Sequence, residues 1–247
     1  ETDIVSMAKP ITKAAWEVSS PEDVPDLLTK AFLLAISGRP GPVLLDIPMD
    51  VQRAHISLGS PALVSPQSDL VLEPGVVNEL LDRLASAKRP LVLVGGGIRT
   101  AQAVNLFRTF VEQIKVPVVN SLMAVDALPF SNPLRVGMIG TYGNRWANMA
   151  IGLSDFLLVL GSRLDIRQTG SDVKAFKGNR IIYHIDCDIA EINNRVKGCI
   201  PIVAHLPDFL SEAIKLSACR KRTDWSGWLI ELTSMRNKWP DTGELQD

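Results

Sequence analysis

The sequence predicts a protein of the α/β class, with a parallel β-sheet covered by helices on both faces and a partial α/β segment before it. Three observations carry this. Short strand-like runs alternate with helical stripes from Val76 onward. The runs are continuously apolar, as strands buried on both faces must be. Several of them close on glycine or on acids, where a strand gives way to a turn.

Taken in order, Ser20-Pro21-Glu22-Asp23 reads as a helix start. Serine is the N-cap, proline takes the first helical position and an acid the third. Val24, Leu27, Leu28, Ala31 and Ala35 then share a face. The helix stops at Gly38, and Gly38-Arg39-Pro40-Gly41 is a turn. Pro42–Pro48 is a short apolar strand closed by proline. A single strand has nothing to pair with, so this unit is not a domain by itself. Residues 53–73 are rich in Ser, Gly and Pro, the composition of a linker, and a domain boundary is placed there.

Beyond the boundary, Val76, Val77, Leu80, Leu81 and Leu84 form a helical stripe. Pro90–Val94 is a strand ending in Gly95-Gly96-Gly97. Val104, Phe107, Val111 and Ile114 mark the next helix, and Val116–Val119 the next strand. A short helix over Asn144–Ile151 precedes the strand Phe156–Leu160, which ends at Gly161. Ile181–Asp186 is a further strand, ending in acids. Ile200–Val203 is the last, followed by a helix on Phe209, Leu210, Ala213 and Ile214. This succession implies βαβ units and a parallel sheet covered on both faces. Arg220-Lys221-Arg222 then precedes an amphipathic helix with Trp225, Trp228, Leu229, Leu232 and Trp239, broken at Asp241-Thr242-Gly243. That helix reads as a connection to something further.

Composition excludes several classes. With 26 Lys+Arg against 27 Asp+Glu the net charge is -1, which lacks the basic excess of a general nucleic-acid binder. No Lys/Arg run makes a membrane patch, and the apolar runs fall far short of the ~20 residues that span a bilayer. Glu1-Thr2-Asp3 does not resemble a signal peptide and lacks a starting Met, so the chain is read as mature, processed or a fragment. Cys187, Cys199 and Cys219 are odd in number and scattered, which argues against a disulfide framework and for a cytoplasmic location. His55, His184 and His205 are not spaced as ligands, and no metal site is expected.

Four segments have the chemistry of a site. Gly95–Gly97 lets backbone N–H groups approach a pyrophosphate, or is simply a tight strand-to-helix turn. Gly161-Ser162-Arg163-Leu164-Asp165-Ile166-Arg167-Gln168-Thr169-Gly170 follows a strand, where open α/β sheets bind ligands. Its arginines either grip anionic groups or pair internally with Asp165. Asp186 is assigned to a ligand hydroxyl, and Asp188 to the N-cap of a helix over Ile189–Val196. Gly137–Gly143 is a glycine-rich loop against which a planar ring could lie, or equally a mobile loop without a ligand. His184, in mid-strand, is a packed core residue. No Ser/His/Asp or Cys/His arrangement is legible.

Collected, these segments resemble the middle of a thiamine-diphosphate-dependent enzyme of the acetolactate synthase family. The matching text is Ile11-Thr12-Lys13, Ser37-Gly38-Arg39-Pro40-Gly41-Pro42-Val43, Asp46-Ile47-Pro48-x-Asp50-Val51-Gln52, the Gly95–Gly97 turn and Asn120-Ser121-Leu122-Met123. It continues through Gly140–Gly143 with Ala147-Asn148, Ser154–Arg163 and His184-Ile185-Asp186-x-Asp188-x-Ala190-Glu191. The order is collinear over about residues 1–216.

The resemblance implies that residues 1–56 end the pyrimidine-binding domain and 57–72 are a linker. Residues 73–217 would then be the central Rossmann-like nucleotide-binding domain, and 218–247 a helical connection towards a diphosphate-binding domain. The cofactor-activating glutamate would lie before Glu1 and the Mg²⁺–diphosphate motif after Asp247, so the piece alone is expected to be inactive and not to bind thiamine diphosphate. FAD or ADP would meet Arg39, Gly95, Gly96, Gly97, Ser121, Leu122, Met123, Gly140, Gly161, Arg163, Asp165, Asp186 and Glu191. Arg167 would face the substrate. Substrates would be a 2-oxo acid and a second carbonyl compound, and the assembly a homodimer or homotetramer, with no nucleic acid or membrane partner. Met49 stands where the family usually has Lys, Thr141-Tyr142 where it has Met-His, and His205 where an Asp meets the nucleotide. Two other readings stay open: a non-catalytic nucleotide-binding module, and an NAD(P)-dependent oxidoreductase on the same kind of sheet.

Overall fold

The structure is a computed structural model that describes residues 2–56 and 70–240. The chain divides into two compact units, Glu1–Asp69 and Leu70–Asp247. Most of the linker expected at 57–72, and the break at Asp241-Thr242-Gly243, lie outside the described residues.

In the first unit, helix α1 (Ile4–Ala8) precedes strand β1 (Ala14–Glu17), helix α2 (Val24–Ile36), strand β2 (Val43–Asp46) and helix α3 (Met49–Arg53). β1 and β2 run parallel, with Ala14 opposite Val43 and Glu17 opposite Asp46. The strand at 42–48 therefore has a partner within this chain. Sequence reasoning missed it because Ala-Ala-Trp-Glu contains no β-branched residue. The helix start also differs. Ser20 is extended, but its hydroxyl turns to the Glu22 carboxylate rather than capping. Pro21–Asp23 is a 3₁₀ turn, and the α-helix begins at Val24.

The second unit holds helix α4 (Val76–Ala85), strand β3 (Pro90–Val94), helices α5 (Gly97–Thr100) and α6 (Val104–Ile114) and strands β4 (Val118–Asn120) and β5 (Arg135–Met138). Then come α7 (Arg145–Leu153), β6 (Phe156–Leu160), α8 (Ile166–Thr169), α9 (Val173–Lys177), β7 (Ile181–Asp186), β8 (Ile200–Val203), α10 (Leu206–Ala218) and α11 (Ser226–Lys238). Its six strands are parallel in the order β5-β4-β3-β6-β7-β8. Every residue of β3 and β6 is buried, which is why both read as unbroken apolar runs. α10 packs on α4 and α6, and α7 packs on β5 and α11. Phe107, Phe110, Phe156 and Phe209 fill the space between sheet and helices.

Three local expectations are corrected. β5 includes Gly137 and Met138, so the glycine-rich segment begins inside a strand, which its glycines had disguised. β4 begins two residues later and ends one later than its apolar run suggested. No helix covers 189–196. Asp188 Oδ1 accepts from Ala190 N at 2.9 Å in a local turn, and Asn193, at φ 56°, folds its amide onto Cys199 N (2.8 Å) and O (2.9 Å). These side chains satisfy the backbone in place of a helical ladder.

The tryptophan helix belongs to the second unit. Trp225 and Trp228 donate their indole N–H groups to Ala87 O and Pro90 O, both at 3.0 Å. Arg89 forks onto Glu231 at 3.0 and 3.1 Å. Arg236 lies over Phe130 (5.3 Å) and Trp146 (5.8 Å). Arg220 is tied to Asp82 and Asn78. No helix among the described residues is long and apolar enough to cross a membrane.

Candidate functional site

In this sheet the chain runs outward from β3 to β4 and β5, then returns to the other side of β3 with β6. The connections on the two sides of that point part in opposite directions and leave a crevice at the carboxyl ends of β3 and β6. Gly95–Gly97 and Gly161–Thr169 meet there. A Cβ on Gly95 would stand 2.2 Å from Gly161 O and 2.5 Å from Ser162 Cα, so only glycine lets the two turns touch. Gly97 N–H donates to Gly161 O at 2.9 Å, and Gly95 N–H to Leu160 O at 2.9 Å. The glycine run is thus accounted for by close packing of the two turns, and two of its three N–H groups are already used.

Side chains, rather than these N–H groups, line the mouth. Ser121 is buried after β4, with its N–H on Val94 O at 3.0 Å. The next two residues turn outward: Leu122 is 60% exposed and Met123 68%. A Cβ on Gly96 would come within 3.0 Å of Met123 Cβ. Arg163 reaches the nearly buried Glu191 at 3.1 Å while most of its own side chain remains exposed. Asp186 accepts from Asp188 N at 3.0 Å. Among the described residues Asp165 pairs with neither arginine's guanidinium. It caps α8, accepting from Arg167 N (2.9 Å) and Gln168 N (3.2 Å). Arg167 is exposed, and its guanidinium meets no carboxylate among the described residues.

Two supports were not legible as such. His184 Nε2 stands 2.8 Å from Ser162 O, both residues being buried, and Ser162 Oγ donates to Gln168 Oε1 at 2.6 Å. Burial pushes the imidazole pKa below its ordinary value of 6.5. Arg195 holds the far end of the loop through Thr169 Oγ1 (3.0 Å) and Gly170 O (2.7 Å). Neither sits in a motif with a spacing rule, so only the fold reveals them. Of the expected residues, Gly95, Gly96, Gly97, Ser121, Leu122, Met123, Gly140, Gly161, Arg163, Asp165, Arg167, Asp186 and Glu191 all lie at or just beyond carboxyl ends of β3–β7. Arg39 belongs to the first unit, on the exposed turn between α2 and β2.

The chemistry of this mouth is that of an anion and ring receptor. Exposed guanidinium groups suit phosphate or carboxylate oxygens, and exposed Leu122 and Met123 offer apolar surface to a ring. Fold and crevice together define the class, a Rossmann-like α/β domain whose candidate site lies at the strand reversal. The chain belongs to the thiamine pyrophosphate enzymes: the family model for the thiamine pyrophosphate enzyme central domain matches residues 77–213. It is 38% identical over 251 residues to an acetolactate synthase large subunit of Lactococcus lactis, covering 100% of this chain and 43% of the relative. Identity to the acetolactate synthase large subunit of Corynebacterium glutamicum is 37% over 245 residues, 97% of this chain and 39% of that protein. With acetolactate synthase 2, chloroplastic, of Nicotiana tabacum it is 34% over 249 residues, 97% and 37% respectively. The chain therefore spans roughly two fifths of the length of the relatives it matches.

Proposed function

We propose that this chain is the middle of a thiamine-diphosphate-dependent carboligase or decarboxylase of the acetolactate synthase type, acting on 2-oxo acids. The carrying observation is similarity along the whole of this chain to part of the acetolactate synthase large subunits, together with a crevice whose arginines face outward. Thiamine diphosphate, when bound, supplies the electron sink that lets a 2-oxo acid lose CO₂. In this reading FAD or ADP occupies the β3–β6 crevice, with Arg163 on its phosphates and Leu122 and Met123 against a ring. Arg167 holds a substrate carboxylate with a planar, always-charged fork. Asp165 fixes the α8 backbone from which Arg167 projects.

Magnesium as the diphosphate's counter-ion, a homodimer or homotetramer, and a cytoplasmic location are part of the same proposal and rest on the resemblance. The test is calorimetry of the full-length protein with FAD and ADP, beside pyruvate consumption with thiamine diphosphate and Mg²⁺. Nucleotide binding and turnover are expected. A protein that binds neither nucleotide reduces the crevice to a structural feature, and one that binds nucleotide without any 2-oxo acid turnover is the non-catalytic module.

A further inference from the structure

Between β5 and α7 the chain makes a turn whose amide groups are gripped by the helix it leads into. Asn144 Oδ1 accepts from Met138 N at 2.7 Å. One helical turn on, Asn148 closes a two-point clamp on one residue: its Oδ1 accepts from Gly140 N at 2.8 Å and its Nδ2 donates to Gly140 O at 3.0 Å. The clamped residue sits at φ 103° and has Arg167 O where a Cβ would be, at 2.3 Å. The neighbouring Thr141 N–H donates to that same Arg167 O at 2.8 Å.

A continuous polar line therefore runs from α7 through Asn148, Gly140 and Thr141 to the Arg167 backbone. Its anchor is firm, because α7 buries Trp146, Ala147, Ala150 and Ile151 in the core. Its far end carries an exposed guanidinium with no ion-pair partner among the described residues to hold it. Where side-chain contacts do not fix an arginine, its backbone must. Asn148 is itself exposed, so losing its two bonds takes little from the core.

We propose that Asn148 is a positioning residue for Arg167, setting the place from which that guanidinium meets a substrate carboxylate. This rests on the reading of Arg167 as substrate-facing. The experiment is a double-mutant cycle in the full-length protein with thiamine diphosphate, Mg²⁺ and pyruvate, comparing Asn148→Ala, Arg167→Lys and the pair. Asn148→Ala should lower kcat/KM about 3–10-fold, the loss falling on KM, with Tm little changed. Arg167→Lys should lower it ~10-fold or more. The double variant should fall to within about twofold of Arg167→Lys alone, since the placement that Asn148 sets matters to the planar fork, which a flexible lysine lacks.

Multiplicative losses in the double variant, or wild-type kcat/KM in Asn148→Ala, overturn the inference and leave Arg167 in place. Wild-type kcat/KM in Arg167→Lys removes Arg167 from the active site and the inference with it. If Asn148→Ala does not fold, Asn148→Asp decides. It keeps the acceptor for Gly140 N–H but sets a carboxylate against Gly140 O, so its KM should rise, and a wild-type KM overturns the inference.

Discussion

The two edges of the six-stranded sheet solve the same problem in opposite ways. Around the starts of β3 and β6, at the amino edge, the polar groups are used among themselves. Asp155, just before β6, accepts from Lys88 N and Arg89 N at 2.8 Å each, and so ties the start of β6 to the start of β3. The Arg89 guanidinium continues to Glu231, and two indole N–H groups take the carbonyls of Ala87 and Pro90. At the carboxyl edge the backbone is interlocked just as tightly, but the side chains are left outward: Leu122, Met123, Tyr142, Ile166, Arg163 and Arg167 all stand exposed. Hydrogen bonds that close on themselves make a fastening. A rigid backbone that leaves cations and apolar groups facing solvent makes a candidate site.

The comparison predicts that insults to the carboxyl edge cost ligand and those to the amino edge cost stability. The largest effect belongs to Gly95→Ala. Its new methyl would stand 2.2 Å from Gly161 O, a backbone atom that cannot step aside without moving the loop of Arg163. Overpacking of this kind costs ~1–3 kcal/mol or more. Nucleotide binding by the full-length protein should be lost, as read by calorimetry, and Tm should fall as well. Near-wild-type affinity would mean that the two turns need not touch for a ligand to bind.

Arg163→Ala comes next and separates site from scaffold. A charge-assisted bond to a phosphate is worth ~1.5–3 kcal/mol, so nucleotide affinity should weaken by roughly 10–150-fold. Stability should fall only modestly: the arginine side of the Arg163–Glu191 pair is largely exposed, although the nearly buried Glu191 carboxylate loses a cationic partner. A fall in Tm with unchanged affinity would reverse the assignment and make the pair a fastening like those of the amino edge.

How much of this was legible in the sequence follows the same division. β3 and β6 were read to the residue because a strand buried on both faces has no choice but to be apolar throughout, and β7 because its apolar run ends in an acid. β5 was missed because Gly137 and Arg135 interrupt that signature at a sheet edge, and β1 because Ala-Ala-Trp-Glu carries little strand propensity. The helix expected at 189–196 failed since Asn193 supplies an alternative set of hydrogen bonds to the same backbone. Arg163 and Arg167 could be singled out, being charged residues after a strand. That Asp165 would cap α8, and not pair with them, depends on where the helix starts. Asn148, His184 and Arg195 act across gaps of 8, 22 and 25–26 residues, which no local pattern encodes.

Asp155→Ala tests the amino edge, with a smaller effect than either change above on ligand binding. It removes two charge-assisted acceptors from the backbone at an exposed position, about 1–2 kcal/mol, or roughly 2–8 °C in Tm for a unit of this size. Nucleotide affinity at a temperature well below Tm should stay as in the wild type. If affinity drops together with Tm, the two edges are mechanically coupled through β3 and β6, and the division between fastening and site is too sharp.

The smallest effect concerns pH and the one buried imidazole that holds the site loop from below. With Nε2 on Ser162 O, the neutral ring carries its proton there, and Nδ1 is buried without a partner. Protonation would place both a charge and an unmet N–H in that position. Burial therefore lowers the pKa below 6.5, against the hydrogen bond that the ring donates to Ser162 O and the carboxylates of Asp186 and Glu191, which favour the charged form. A histidine whose folded pKa lies under its unfolded one binds its proton more readily when unfolded. Its contribution to stability is full above the unfolded value of 6.5 and is lost as pH falls through that value towards the folded one. His184→Gln keeps an N–H donor for Ser162 O but cannot titrate. Thermal unfolding from about pH 7.5 down to about pH 5 should show the wild type losing stability faster than the variant, so that the gap between the two curves narrows with acid. Parallel curves would place the acid sensitivity elsewhere in the fold and leave His184 as packing alone.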